Sequence, residues 1–277
     1  MHAQYDIGMM RLHPSPTVGF SLHFPVADPR LPPAHAPSPL DMPRVDAFAP
    51  ARHDVGADAL DTVVGGEAVT LFAERALFWP RERTLFVADV HLGKTATFRA
   101  HGVPLPRGTT AGDLARLARL VLRVGAARVV VLGDFLHARA GRVPALDDAV
   151  RAWREAHAAL DVVLIRGNHD AHAGDPPAAW AIDCRPEPLA LPPFLACHVP
   201  ASPPSGYALC GHVHPGIWLA GHGEESARLP CFVLGRRRAI LPAFGRFTGL
   251  ATIAPDAHDR IVAIAGAALF ALPAAVR

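Results

Sequence analysis

Apolar residues along this chain follow two rhythms. Short runs at 84–88, 128–132 and 162–166, dominated by Val, Leu, Ile and Phe, read as strands buried on both faces. The stretches between them carry helical spacing. Leu114, Leu117, Val121 and Val124 mark one apolar face, and Leu146, Val150, Trp153 and Leu160 mark another. Thr110 followed by Asp113 resembles a capping box, and Gly125 suits the stop of the first helix. Upstream, 69–72 and 76–79 read as a hairpin, with the folded body beginning near 62–65. The β-α-β-α-β alternation implies parallel strands joined by helical crossovers.

Past Asp170 the rhythm changes. Short apolar runs at 194–198, 207–211, 216–219, 231–234, 239–241, 248–253, 260–264 and 268–271 alternate with Pro and Gly, without a second long helix pair. The expectation is an α/β fold with a mixed two-sheet core and outer helices, not a purely parallel doubly wound sheet. Residues 1–58, rich in Pro, His and Ala, show no sustained period and read as a disordered extension. Residues 59–277 read as one domain.

Composition refines this picture little. At 277 residues and 51% hydrophobic content the chain can bury a sizeable core. A formal net charge of +2 is too small to argue for nucleic acid by itself. Nothing approaches the roughly 20 apolar residues of a spanning helix, and no charged segment precedes an apolar signal region. A cytoplasmic protein without membrane contact is expected. Cys184, Cys197, Cys210 and Cys231 form no C-x-x-C pair and read as free, buried thiols. Trp79, Trp153 and Trp218 fall at strand or helix positions and read as core.

The residues at which the apolar runs stop change the picture. The first run ends in Asp89-Val90-His91, the second in Gly133-Asp134 and the third, after Arg166, in Gly167-Asn168-His169-Asp170. Later runs meet His198 and Gly211-His212-Val213-His214. Sites in α/β proteins gather at the carboxyl ends of strands, so these side chains can converge. If strand geometry persists, Asp89 and His91 share one face, as do His212 and His214. Mixed oxygen and nitrogen donors without thiolate suit Mn²⁺, with Fe or Zn²⁺ as alternatives. Seven donors exceed the needs of one ion and suit two that share a carboxylate, the arrangement that holds both oxygens of an in-line displacement.

The series D-x-H, G-D, G-N-H-D, H and G-H-x-H resembles the calcineurin-like metallophosphoesterase superfamily across about residues 62–255. That resemblance implies the metallophosphatase fold, a four-layer α/β/β/α sandwich of two mixed sheets. It implies one metal held by Asp89, His91, Asp134 and His214, and a second by Asp134, Asn168, His198 and His212. His169 would be the catalytic histidine, with Asp170 orienting it. The second patch reads Gly133-Asp134-Phe135-Leu136-His137-Ala138-Arg139 and departs from the G-D-x-x-D-R-G of protein phosphatases.

His91-Leu92-Gly93-Lys94, the stretch from Phe98-Arg99 to Pro104, and Pro242-Ala243-Phe244-Gly245 resemble a narrower subgroup, the bacterial ligase-associated DNA damage response endonucleases. The implied function is phosphodiester hydrolysis on DNA, in association with a DNA ligase and a helicase. The alternatives are a phosphodiesterase or phosphatase acting on a small nucleotide-like substrate, or a non-catalytic partner of the ligase and helicase. His137, Lys94 and Arg99 lie near the donor patches and are candidates to bind phosphate oxygens. The arginines at 236–238 can pair phosphates but read as a solvated loop, and His172 reads as a loop residue.

Overall fold

The computed structural model describes residues 57–106, 108–220 and 226–273. The segment read as an extension lies outside these residues except for Ala57 and Asp58, which join the folded body. The Ala57 carbonyl accepts the Leu269 N–H at 3.1 Å, and Asp58 accepts two bonds from Arg123 at 2.6 and 2.9 Å.

The first sheet holds β1 (Ala59–Val64), β2 (Glu67–Phe72), β3 (Ala76–Trp79), β4 (Thr84–Val87), β5 (Arg128–Leu132), β6 (Asp161–Ile165) and β7 (Asp183–Arg185), in that spatial order. Strands β1 to β4 form an antiparallel meander, and β4 to β7 run parallel. The connections carry α1 (Lys94–Ala100), α2 (Thr109–Val124), α3 (Pro144–Ala156) and α4 (Asn168–Ala173).

The second sheet contains β8 (Leu189–Leu191), β9 (Phe194–Ala196), β10 (Tyr207–Cys210), β11 (Pro215–Ala220), β12 (Ser226–Leu234), β13 (Arg238–Ile240), β14 (Ala251–Thr252), β15 (Arg260–Ala265) and β16 (Ala268–Ala271). Its order is β14-β11-β12-β13-β10-β9-β8, with β15 on β12 and β16 on β15. Strands β9, β10 and β13 run parallel to one another.

Strand alternation explains both layers of core. Phe86, Val130, Leu132, Val163 and Ile165 point at the second sheet, where they meet Phe194, Leu209, Phe232, Leu241 and Val262. Their neighbours Leu85, Val87, Val129, Val131 and Leu164 point outward against Leu114, Leu117, Leu120, Val150 and Trp153 of α2 and α3. On the far face of the second sheet, Cys231, Val233, Ile240 and Ile261 pack against Ile217, Leu219, Ile253 and Leu272. Among the described residues no helix covers that face, so its outer layer is made of strands and loops. The mixed α/β fold with two mixed sheets stands as expected. No described helix is long and apolar enough to cross a membrane.

Several local expectations are corrected. Helix α2 starts from Gly108 in left-handed backbone and has no side-chain cap, so the Thr110–Asp113 capping box does not form. Asp113 is instead buried with an oxygen 3.2 Å from the Arg116 guanidinium. Trp79 and Trp153 are core, but Trp218 is 44% exposed beside Arg228. All four cysteines are free, and Cys184 is only half-buried.

Phe194 joins the sheets most directly, lying edge-on to Trp79 at 4.9 Å and to Phe86 and Tyr207 at 6.3 Å. Phe194→Ala is expected to cost about 3–5 kcal/mol through lost burial and the cavity left behind. Urea unfolding at matched conditions measures it, and a loss below about 1 kcal/mol would show that the sheets close over the gap.

Candidate metal centre

Both sheets deliver strand ends to one edge. Strand β4 leads to Asp89 and His91, β5 to Asp134, β6 to Asn168, β9 to His198, and β10 to His212 and His214. The extended geometry does not persist into these residues. Asp89 and His91 have φ of 52° and 50°, Asp134 51°, His212 70° and His214 51°. Left-handed turns, not strand parity, aim the side chains.

Backbone bonds fix those turns. The Asp89 N–H donates to the Gly133 carbonyl at 3.1 Å, His91 N–H to Asp134 at 2.8 Å, and Leu92 N–H to Phe135 at 2.8 Å. The His137 N–H returns a bond to Leu92 at 3.1 Å, so the two strand-end segments hold each other. Gly133 has φ 80°, and a Cβ there would fall onto the His198 ring, so only glycine fits. The His212 N–H donates to Asp89 Oδ2 at 2.9 Å, tying the second sheet to the first.

The donors gather as two groups, Asp89 with His91 and His214, and Asp134 with His198 and His212. In the first, His91 Nε2 is 3.2 Å from His214 Nε2, which is 3.5 Å from Asp89 Oδ1. In the second, His198 Nε2 is 3.0 Å from His212 Nδ1, 2.9 Å from Asn168 Oδ1 and 3.5 Å from Asp134 Oδ1. Asp134 reaches both groups, because its Oδ2 lies 3.9 Å from His91 Nε2. Donors about 2.0–2.2 Å from one ion stand roughly 3.0–3.5 Å apart, so these spacings suit shared coordination.

Protonation favours the same conclusion. His198 Nδ1 lies 3.0 Å from the Leu132 carbonyl, which can only accept, so that nitrogen carries the proton. In the neutral ring Nε2 then presents a lone pair toward the Asn168 and Asp134 oxygens. Acceptors converging on acceptors call for a cation between them. Asp89 and Asp134 are both buried, and among the described residues their charged partners within 4.0 Å are all histidines. Burial raises the Asp134 carboxyl above the usual carboxylate range. Burial, with His214 next, lowers the His91 imidazole to about 2, and burial also lowers His212. With His91 and His212 held neutral beside the buried Asp89 and Asp134, the hole is electron-rich and suits a divalent ion.

His169 sits beside both groups. Its backbone N–H donates to Asp134 Oδ1 at 2.8 Å, and its ring Nδ1–H donates to the His137 carbonyl at 2.8 Å. The ring is edge-on to His91 at 4.8 Å and stacked on His137 at 4.9 Å. His137 therefore belongs to the site, with Nδ1 3.4 Å from His91 Nδ1. Burial, then Lys94 and His169, lower its imidazole to about 4. His91, His137 and His169 also form a cluster of their own, without a carboxylate.

Other expected contacts differ. Asp170, expected to orient His169, accepts N–H bonds from Gly167 at 3.0 Å, Leu136 at 2.9 Å and Phe135 at 3.3 Å and so acts through the backbone. It clamps the start of α4 to the end of β5. Lys94 opens α1 next to His91, half-buried. Arg99 donates to the carbonyls of Leu105 and Pro106 at 3.4 and 3.1 Å, bracing its own loop. His172 bonds the Asn168 carbonyl one turn back, outside both groups. Arg238 pairs with Ala208 at the amino end of β10, so the 236–238 arginines lie at the sheet end opposite the site.

Two supports brace the donors from outside, one without a sequence signal and one known in the sequence only as a resemblance. Glu187 accepts the N–H groups of His198 and Val199 at 2.6 and 3.0 Å, fixing His198 from outside the sheet. The 242–245 segment braces Asp89: Phe244 N–H donates to Ala88 at 2.7 Å and Gly245 N–H to Asp89 at 3.1 Å.

A calcineurin-like phosphoesterase family pattern matches residues 82–229. The chain belongs to that family, whose members use a dinuclear metal centre, and the two donor groups provide candidate residues for one. The crystal structure of Pseudomonas putida nuclease MPE aligns at 42% identity, covering 77% of this chain and 100% of that one, with a TM-score of 0.69. Yfce, a phosphoesterase from E. coli, aligns at 16% identity over 65% of this chain and 86% of its own, with a TM-score of 0.31. No curated protein matches.

Asp170→Ala strands three buried amides without an acceptor. The expected cost is about 3 kcal/mol or more. Equilibrium unfolding of metal-free protein reads it, and wild-type stability would mean that the amides find other partners.

Proposed function

We propose that this chain is a two-metal phosphodiesterase that cleaves DNA, acting as an endonuclease in the cytoplasmic DNA damage response. The observation that carries the reading is Asp134, a buried carboxylate reaching both donor groups while it accepts the His169 N–H. Asp89, His91, Asp134 and His214 would hold one ion, and Asp134, Asn168, His198 and His212 the other. Mixed nitrogen and oxygen donors favour Mn²⁺, with Fe or Zn²⁺ as alternatives. Two such ions, when bound, would supply Lewis acidity at the phosphodiester and lower the pKa of bound water.

The protein's own groups do the rest. Asp134 places both halves of the centre in one register. His169, with Nδ1–H held by the His137 carbonyl, keeps Nε2 for the substrate. Protonated there, it hydrogen-bonds a phosphate oxygen or gives its proton to the leaving oxygen. His137 stacks behind it and limits its rotation. Asp170 acts through the backbone, keeping His169 and Asp134 at their spacing.

The nuclease neighbour supports a nucleic-acid substrate, since the whole of its chain aligns here at 42% identity, and the choice of DNA rests on the subgroup resemblance. Association with a DNA ligase and a helicase rests on the subgroup resemblance.

Purified Mn²⁺-loaded protein is expected to cut plasmid and single-stranded DNA and to hydrolyse bis-p-nitrophenyl phosphate. A monoester or cyclic nucleotide as the preferred substrate would overturn the DNA reading. Asp134→Asn should lose metal from both groups by elemental analysis and lose activity, and persisting cleavage would sink the assignment. His169→Ala should lower turnover roughly 10²–10⁴-fold with both ions retained. Loss of metal in that variant would make His169 structural.

A further inference from the structure

We propose that the cleft beside the candidate metal centre is a second phosphate subsite, which holds the phosphate adjoining the scissile diester. This rests on the phosphodiesterase reading above and deepens it: the preferred substrate is a chain of diesters, not one diester.

The cleft is shallow, with about 10 Å³ of enclosed space between the starts of α1 and α2 and the loop after Gly245, so a phosphate sits in its mouth. Lys94, Thr109, Thr110, Thr248 and Phe247 line it. Of the seven candidate donors only His91 reaches its wall, so a group bound there lies next to the ions and not over them. One continuous strand of substrate can reach both places.

Its chemistry is that of an anion site. Among the described residues Lys94 has no carboxylate partner, although it is half-buried. A solvated surface lysine would need no explanation, but a half-buried one beside hydroxyls has donors to offer. On the same wall the Thr110 hydroxyl can donate to a phosphate oxygen, while Thr248 donates to the Gly245 carbonyl at 2.7 Å and Thr109 shares a hydroxyl bond with Thr95. Asp113, the one acid on the wall among the described residues, has an Oδ1 without a hydrogen-bond partner but 3.2 Å from the Arg116 guanidinium, with Arg75 and Arg246 close by. The local balance is therefore positive.

The cleft is also preformed. Thr95 and Thr109 share a hydroxyl hydrogen bond at 2.7 Å, locking the start of α1 to the start of α2. Gly108 leaves the first amides of α2 without a side-chain cap, which adds backbone donors on the same side. Phe247, 44% exposed, offers an apolar face for the attached sugar or base.

The test compares wild type, Lys94→Gln, Lys94→Arg and Thr110→Val on oligothymidylate and on bis-p-nitrophenyl phosphate, which has no neighbouring phosphate. Lys94→Gln is expected to raise KM for the oligonucleotide roughly tenfold with kcat little changed. It should also flatten the slope of log KM against log salt by about 0.7, the value for one contact to a single strand. Lys94→Arg should restore most of both, and Thr110→Val should raise the oligonucleotide KM a few-fold.

Equal losses on both substrates, or an unchanged salt slope, would overturn the subsite. So would equal kcat/KM for a dinucleoside monophosphate and a trinucleotide, because only the latter has the second phosphate. Wild-type protein inactive on every diester would instead overturn the phosphodiesterase reading itself.

Discussion

Five of the seven candidate donors sit on left-handed backbone, and the arrangement of the strand ends depends on keeping them there. Each such residue costs on the order of 1 kcal/mol or more relative to ordinary backbone. Asp and His tolerate the region better than branched side chains, which softens the penalty without removing it. The reciprocal bonds between 89–92 and 133–137 offset it, because neither segment can relax without breaking the other's bonds. A strand that stayed extended would point Asp89 and His91 along one face. The left-handed turns let them reach inward from a strand that has already ended.

That constraint gives physical content to a stretch that resembled a subgroup without evident chemistry. Pro242-Ala243-Phe244-Gly245 lies under the Asp89 turn, and its two amides occupy the Ala88 and Asp89 carbonyls. Gly245 has no room for a side chain, since a Cβ would meet the Val90 carbonyl. Two buried or half-buried arginines hold the segment. Arg75 donates to Ala243 and Gly245 at 3.0 and 3.3 Å, and Arg116 donates to Phe244 while lying over its ring at 4.0 Å. Asp113, positioned on α2 one turn before Arg116, keeps that guanidinium company. A helix on the outer face thus steadies the turn that carries the candidate donor Asp89 through one arginine.

Much of this was legible in the sequence. Strands β4, β5 and β6 are buried on both faces and so write themselves as unbroken apolar runs. Helices α2 and α3 are buried on one face and write a helical period. The donors were legible because each polar group stands where an apolar run stops. What stayed hidden has one cause: short elements and backbone partners leave no side-chain pattern. Strands β7 and β8 have three residues each, too few to show alternation, and α1 and α4 begin directly from donor turns. Asp170 and Glu187 serve backbone amides, a role that any nearby carboxylate could fill. The distance of the 236–238 arginines from the site comes from the parallel pairing of β13 with β10, a fact of topology and not of composition.

The two histidines whose protonation matters most are set by the same device. His198 Nδ1 meets the Leu132 carbonyl and His169 Nδ1 meets the His137 carbonyl, so in each ring the other nitrogen is left for chemistry. A carboxylate in either place would fix the tautomer too, yet it would raise the ring's basicity and could itself be neutralised as pH falls. A backbone carbonyl does neither. It belongs to a strand end, or to the turn just beyond it, that the core already holds rigid. The tautomer of each ring is therefore a consequence of the fold, and it lasts as long as the fold does.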